Sequence, residues 1–196
     1  MYIWGTALLL LLLLSPEQAK SQDAHWAKGE ELEWRFRPAH LDTALAYVGV
    51  QEFGNNEGPE IEMFLASVHL GKGNPYCAAY VSFCLAQATP GPYNPTVRSG
   101  LARKFKTRDA VKASLVLRGL EVKPGWIVGW EKGNTVYGHL GIVIKWDGQC
   151  GETVEANTSS GTFGSQRDGD GVWIRKRCIE PGNYFRITWF TPVEYE

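Results

Sequence analysis

The sequence predicts an α+β domain in which N-terminal helices pack on an antiparallel β-sheet. Apolar residues recur at helical spacing through the first half of the chain, and after Pro124-Gly125 the pattern switches to β-branched and aromatic runs. Each run is bounded by Gly, Asn or Asp, as strands are. Helices first and strands afterwards favour segregated layers over an alternating βαβ arrangement.

A chain of 196 residues is ample for one domain with a real core and tight for two. With 44% hydrophobic and 21% charged positions it is neither a disordered chain nor a small disulfide knot. A formal net charge of −1 speaks against nucleic-acid binding, which draws on a basic excess.

The chain opens on an apolar run at residues 3–14, too short to span a bilayer, where about 20 residues are needed. Ser15, Pro16 and Glu17 break the run, and Ala19 and Ser21 place small residues three and one before a cleavage point. The expectation is a signal peptide over 1–21, cut after Ser21, and a secreted or periplasmic product that is not an integral membrane protein. The first six residues hold no Lys or Arg, which leaves an uncleaved anchor as the rival reading. Residues 22–37 then read as a polar arm, and 38–196 as a single domain.

Within that domain Pro38 suits a helix start, with Leu41, Ala44, Leu45 and Val48 on one face. Pro59 opens a second helix, with Ile61, Phe64, Leu65 and Val68 at i, i+3, i+4 and i+7. Gly71, Gly73 and Pro75 make a turn, and a third helix runs from about Cys77 to Ala88. Residues 89–95 are loop. The basic stretch 98–112, with Arg98, Arg103, Lys104, Lys106, Arg108 and Lys112, reads as helical, either a solvated surface or a face for an anionic partner. Strands are expected at 126–130, 140–146, 152–156, 172–177 and 184–190.

Three positions carry candidate chemistry. Cys77 falls where a turn becomes a helix, so unpaired backbone N–H groups and the helix dipole favour a thiolate there. The same N–H groups can hold an oxyanion; the competing reading is a buried structural cysteine. His139 heads an apolar strand in which Leu140, Ile142 and Ile144 face one side and Val143 the other, and it can serve as general base or simply end the strand. Glu155 and Asn157 point the same way under period-two alternation, so either can hold the second ring nitrogen of His139; the bland alternative is a solvated turn. Cys84, two helical turns after Cys77, reads as a small core residue. Cys150 and Cys178 sit beside predicted strands, and pairing and non-pairing are equally compatible with the sequence. The stretch 167–171 lacks the bidentate acid of a calcium loop and reads as a tight turn.

Taken in order, a Cys at a helix start, a Gly-His strand and a Glu-x-Asn strand resemble the CHAP family of papain-like cysteine amidohydrolases. Tyr76-Cys77-Ala78-Ala79-Tyr80-Val81-Ser82-Phe83, Gly138-His139-Leu140-Gly141-Ile142-Val143 and Val154-Glu155-Ala156-Asn157-Thr158 carry the likeness, which covers roughly residues 40–190. Pro124-Gly125 with Val128 is similar to the family's Pro-Gly-Asp strand, with Trp126 where that Asp stands. The resemblance implies a papain-like fold, Cys77 as nucleophile, His139 as base, and Glu155 and Asn157 as the orienting pair. It implies peptidoglycan as partner and substrate, cut at an amide bond by an amidase or an endopeptidase, with no cofactor. Some members carry an acidic calcium site ahead of the Cys; residues 71–76 hold no Asp or Glu, so no metal is expected. A wall- or partner-binding protein on a retired catalytic fold is the alternative. The related NlpC/P60-type endopeptidases are a third, and the Glu-x-Asn pair favours CHAP over them.

Overall fold

Alternating apolar side chains in the second half of the chain close two cores on opposite faces of one sheet in the computed structural model. The structure describes residues 37–88, 91, 97–160, 169–180 and 185–195. The expected signal segment, nearly all of the polar arm and part of the 167–171 turn lie outside these. The strands are β1 (Val111–Lys112), β2 (Ile127–Lys132), β3 (Gly138–Asp147), β4 (Cys150–Thr158), β5 (Gly171–Cys178) and β6 (Phe185–Thr191). They form a six-stranded sheet in the order β1-β6-β2-β3-β4-β5, antiparallel at every pairing. Five of the six match expected strands; β1 is short and was not anticipated. Leu140 and Ile142 enter the larger core, with Ile144 packed against it, while Val143 enters the smaller, as alternation predicts. Cys150 and Cys178 lie opposite one another in the β4–β5 ladder, Cα atoms 4.0 Å apart, and are joined by a disulfide.

The helices are α1 (Ala39–Ala46), α2 (Pro59–Ala66), α3 (Cys77–Gln87) and the single-turn α4 (Ala113–Val116). The first three build the larger core with one face of the sheet; α4 helps to cover the other face. α3 is the central helix, buried at every position from Cys77 to Leu85, as befits a segment apolar all round. The Tyr80 hydroxyl donates to the Ala44 carbonyl at 2.7 Å and ties α3 to α1. The rings of Tyr47, Phe64, Tyr80 and Phe83 pack mutually between the helices, mostly edge to face.

Two expectations are corrected. Val48 does not share the buried face of α1, because the helix ends at Ala46 and the chain turns so that the Gly49 N–H donates to the Val172 carbonyl on β5. Val48 is left exposed, and Tyr47 fills the core position instead. The basic stretch is not a helix. It contains one 3₁₀ turn, Ala102–Phe105, and then β1. Only Ala102 and Phe105 of that turn are buried, too short an apolar stripe to anchor a longer helix. Two of its cations, Arg103 and Lys106, converge on Glu131 of β2 at 3.2 and 3.1 Å. Arg103 also donates to the Gly133 and Thr135 carbonyls.

His40 fastens α1 to the rest of the fold. It is fully buried, with Nδ1 2.6 Å from the Tyr195 hydroxyl and Nε2 2.7 Å from the Gly125 carbonyl. A carbonyl only accepts, so Nε2 carries the hydrogen and Nδ1 accepts from Tyr195. Gly125 makes this possible: its φ is +85°, and a Cβ there would lie 2.9 Å from His40 Cε1. Burial holds the His40 pKa down to about 4, against 6.5 for a free ring. Between those two values the unfolded chain binds the extra proton, so stability rises with pH across that window. The full effect is about 3 kcal/mol, lost as pH falls from above 6.5 towards 4. Chemical denaturation as a function of pH should show this slope in the native chain, and His40→Gln should flatten it.

Candidate active site

The turn before α3 ends with Gly73 at φ +82° and Pro75, and Tyr76 caps the helix without a side-chain hydrogen bond. The first-turn N–H groups therefore have no side-chain acceptor competing for them. Cys77 opens the helix and is 7% exposed, whereas Cys84 is fully buried with its thiol pushed well above the ordinary range by burial. Both cysteines of the helix are buried; what separates them is position, Cys77 on the first turn beside His139 and Cys84 two turns further on.

His139 lies near the start of β3, directly opposite Trp130 of β2 in the ladder, and the two rings meet edge to face with centroids 5.3 Å apart. Its ring lies beside the Cys77 thiol and interacts with it electrostatically, and its Nε2 lies 2.9 Å from Glu155 Oε2. Because a carboxylate accepts, Nε2 carries a hydrogen, which leaves Nδ1 as the nitrogen that can act as base. Burial by itself would favour the neutral ring; the interactions with Cys77 and Glu155 outweigh it and hold the His139 pKa up to about 9.

Glu155 is the centre of a buried polar cluster. It is fully buried, and it accepts from Thr153 Oγ1 at 2.5 Å, from His139 and from two nitrogens of Arg177 at 2.8 and 2.5 Å. Burial raises a carboxyl pKa, but the Arg177 and His139 bonds and charges prevail and hold Glu155 down to about 2. Gly141 is bare of side chain where this cluster packs. A Cβ there would lie 2.8 Å from Glu155 Cγ and 3.3 Å from Thr153 Cβ.

Asn157 is placed differently from the expectation. Period-two alternation from Glu155 fails because β4 carries an irregularity between Ala156 and Thr158, and Asn157 adopts a left-handed φ of +55°. Its amide donates to Asn56 Oδ1 at 2.7 Å, across to the loop before α2, rather than joining Glu155 at the His139 ring. The backbone of Gly169 backs this bulge so closely that a Cβ would lie 2.1 Å from the Asn157 carbonyl carbon. The buried Tyr76 hydroxyl lies beside Asn157 and Glu52. The structure therefore brings together Cys77, His139 and Glu155, with Asn157 at their border on the Tyr76 side.

Thr153, Trp130 and Arg177 also belong to the cluster and were not singled out from sequence. Only the two-residue spacing of Arg175 and Arg177 along β5 signals that two cations share one face of the sheet. Arg175 is likewise buried and donates to the Ser159 carbonyl at 2.6 Å. Among the described residues no three His, Cys, Asp or Glu side chains group as a metal site, and no helix is long and apolar enough to cross a membrane. Asp170 accepts from Trp173 Nε1 at 2.6 Å and Ser160 Oγ at 3.0 Å, which gives the described end of the 167–171 turn a structural role.

Such an arrangement has the parts for nucleophilic acyl chemistry: a thiol at a helix start, an imidazole beside it, and a carboxylate fixing the ring's tautomer. Residues 69–157 match the family model described as CHAP domain, a span that begins before α3 and ends at Asn157. No curated protein and no solved structure matches the chain.

The geometry at Gly141 is testable. Gly141→Ala should force the Glu155 side chain off His139, lower the melting temperature by the equivalent of about 1–3 kcal/mol, and move the His139 titration in an NMR experiment down towards 6.5. In the native chain the charged ring stabilises fully below pH 6.5, and that contribution is lost as pH rises through about 9. The variant should lose that slope.

Proposed function

The chain belongs to the CHAP family, a family of amidase and peptidase hydrolases linked to peptidoglycan, and from that premise we propose an exported cysteine hydrolase that cleaves an amide bond of peptidoglycan. The observation that carries the reading is the juxtaposition of Cys77, at the start of α3, with a His139 ring whose Nε2 is hydrogen-bonded to the buried Glu155. Cys77 is the nucleophile, His139 the base and Glu155 the residue that orients the ring. The apolar run at 3–14 and the small residues before Gln22 support export.

In this reading the Cys77 sulfur attacks the carbonyl carbon of the scissile amide after passing its proton to His139 Nδ1. The first-turn N–H groups of α3 receive the developing oxyanion. His139 then returns the proton to the departing amine as the C–N bond breaks, leaving a thioester on Cys77. A water molecule gives a proton to His139 and attacks the thioester carbonyl, and the carboxylic acid leaves as the thiol reforms. Throughout, Glu155 stabilises the imidazolium without taking its proton, because Arg177 and His139 hold the carboxyl far below neutral pH.

Release of soluble fragments from purified peptidoglycan by folded variants tests this assignment. Cys77→Ala and His139→Ala should fall to background, while Cys84→Ala keeps activity with a modest loss of stability. Glu155→Ala should lose about 10²–10⁴-fold. Asn157→Ala should keep most activity and lose about 1 kcal/mol, since alanine tolerates a left-handed backbone poorly. A Cys77→Ala protein that still cleaves the wall would sink the assignment. Mass spectrometry of the products separates amidase from endopeptidase: new N-terminal L-Ala marks the first, a cut within the stem or bridge the second.

A further inference from the structure

Arg177 stands on β5, beyond the segment that matches the family model. Its Nε and Nη2 take the two oxygens of Glu155 at 2.8 and 2.5 Å, a two-pronged pair that fixes the plane of the carboxylate as well as its place. The guanidinium carbon also lies 5.5 Å from the centroid of the Trp130 ring, and that indole is the one packed on His139. A third contact runs from Nη2 to Thr158 Oγ1 at 3.3 Å. One side chain therefore touches both groups that hold the His139 ring, the carboxylate at Nε2 and the indole against its face.

We propose that Arg177 is a positioning residue for the Cys77–His139 pair, holding Glu155 in line with the ring and offsetting the charge with which that carboxylate retains the ring's proton. The proposal rests on the functional reading above. A buried carboxylate left alone beside an imidazole would bind the ring proton too firmly for its return to a leaving amine. Shared with Arg177, the same carboxylate orients the ring while keeping the proton transferable. The ionisable groups facing the pair are Cys77 from α3, Glu155 from β4, and Arg175 and Arg177 from β5. β2 contributes the uncharged Trp130. Arg175 spends one donor on the Ser159 carbonyl, so the two-pronged contact with Glu155 falls to Arg177. Lys cannot reproduce it, having one charged nitrogen where Arg presents a planar fork.

The test compares the full chain with Arg177→Gln, which removes the charge, and Arg177→Lys, which keeps the charge and loses the fork. His139 is titrated by NMR, and Cys77 alkylation by iodoacetamide is followed against pH. Arg177→Gln should move the His139 titration upward by about one pH unit or more, and carry the alkaline limb of the Cys77 profile with it. Arg177→Lys should return the titration close to that of the native chain, yet lower kcat on peptidoglycan about tenfold with KM little changed. A titration that stays in place in Arg177→Gln, with only thermal stability lost, would reduce Arg177 to a strand-pinning role and overturn the proposal. Should Arg177→Gln not fold, Arg177→Lys decides alone, and native kcat in that variant would overturn it. Titration and alkylation involve no wall substrate. A native chain that leaves peptidoglycan intact would therefore defeat the functional reading while the Arg177 comparison still returns its own answer.

Discussion

A carboxylate removed from water survives in a protein only where its charge and its lone pairs are met, and Glu155 is fully buried. Its partners come from its own strand and from both neighbouring strands: Thr153 on β4, His139 on β3 and Arg177 on β5. Antiparallel pairing makes that convergence possible by bringing the three strands side by side. Gly141 completes it by leaving the volume that Glu155 and Thr153 occupy. Meeting one buried charge thus dictates a glycine, a threonine, a histidine and an arginine at four separate places in the chain.

The same cluster couples the sheet to α3. His139 has one nitrogen bonded to Glu155 and interacts electrostatically with Cys77, so a charge in the sheet is felt at the helix start. α3 is in turn positioned by its apolar surface, which contacts α1, α2 and the sheet at once. The two buried histidines among the described residues show how surroundings decide ionisation. His40 meets a hydroxyl and a carbonyl and stays neutral to low pH, whereas His139 meets a carboxylate and a thiol and holds its proton to about 9.

Where structure and sequence pattern part, a particular contact overrides the local pattern. Basic residues at 98–112 suggested a helix, but charge does not create an apolar stripe, and the segment is spent on the Ala102–Phe105 turn and on β1. Period two was extended one residue too far along β4, where packing by Gly169 and the bond to Asn56 hold Asn157 in a left-handed bulge. Val48 continues the apolar period of α1, but the helix ends sooner because its following turn docks on β5. Each deviation occurs where a partner distant in sequence meets the backbone.

By itself the sequence determined the order of helices and strands, the inward faces of α2 and β3, and the candidacy of Cys77, His139 and Glu155. These follow from periodicity, from turn residues, and from the reactive side chains placed at element ends, all of them local properties. Only the tertiary structure decided that Glu155 and not Asn157 meets His139, that Cys150 opposes Cys178, and that Arg177 and Trp130 belong to the site. Such choices depend on register between strands, and register is set by the fit of whole faces across the sheet rather than by any segment read alone.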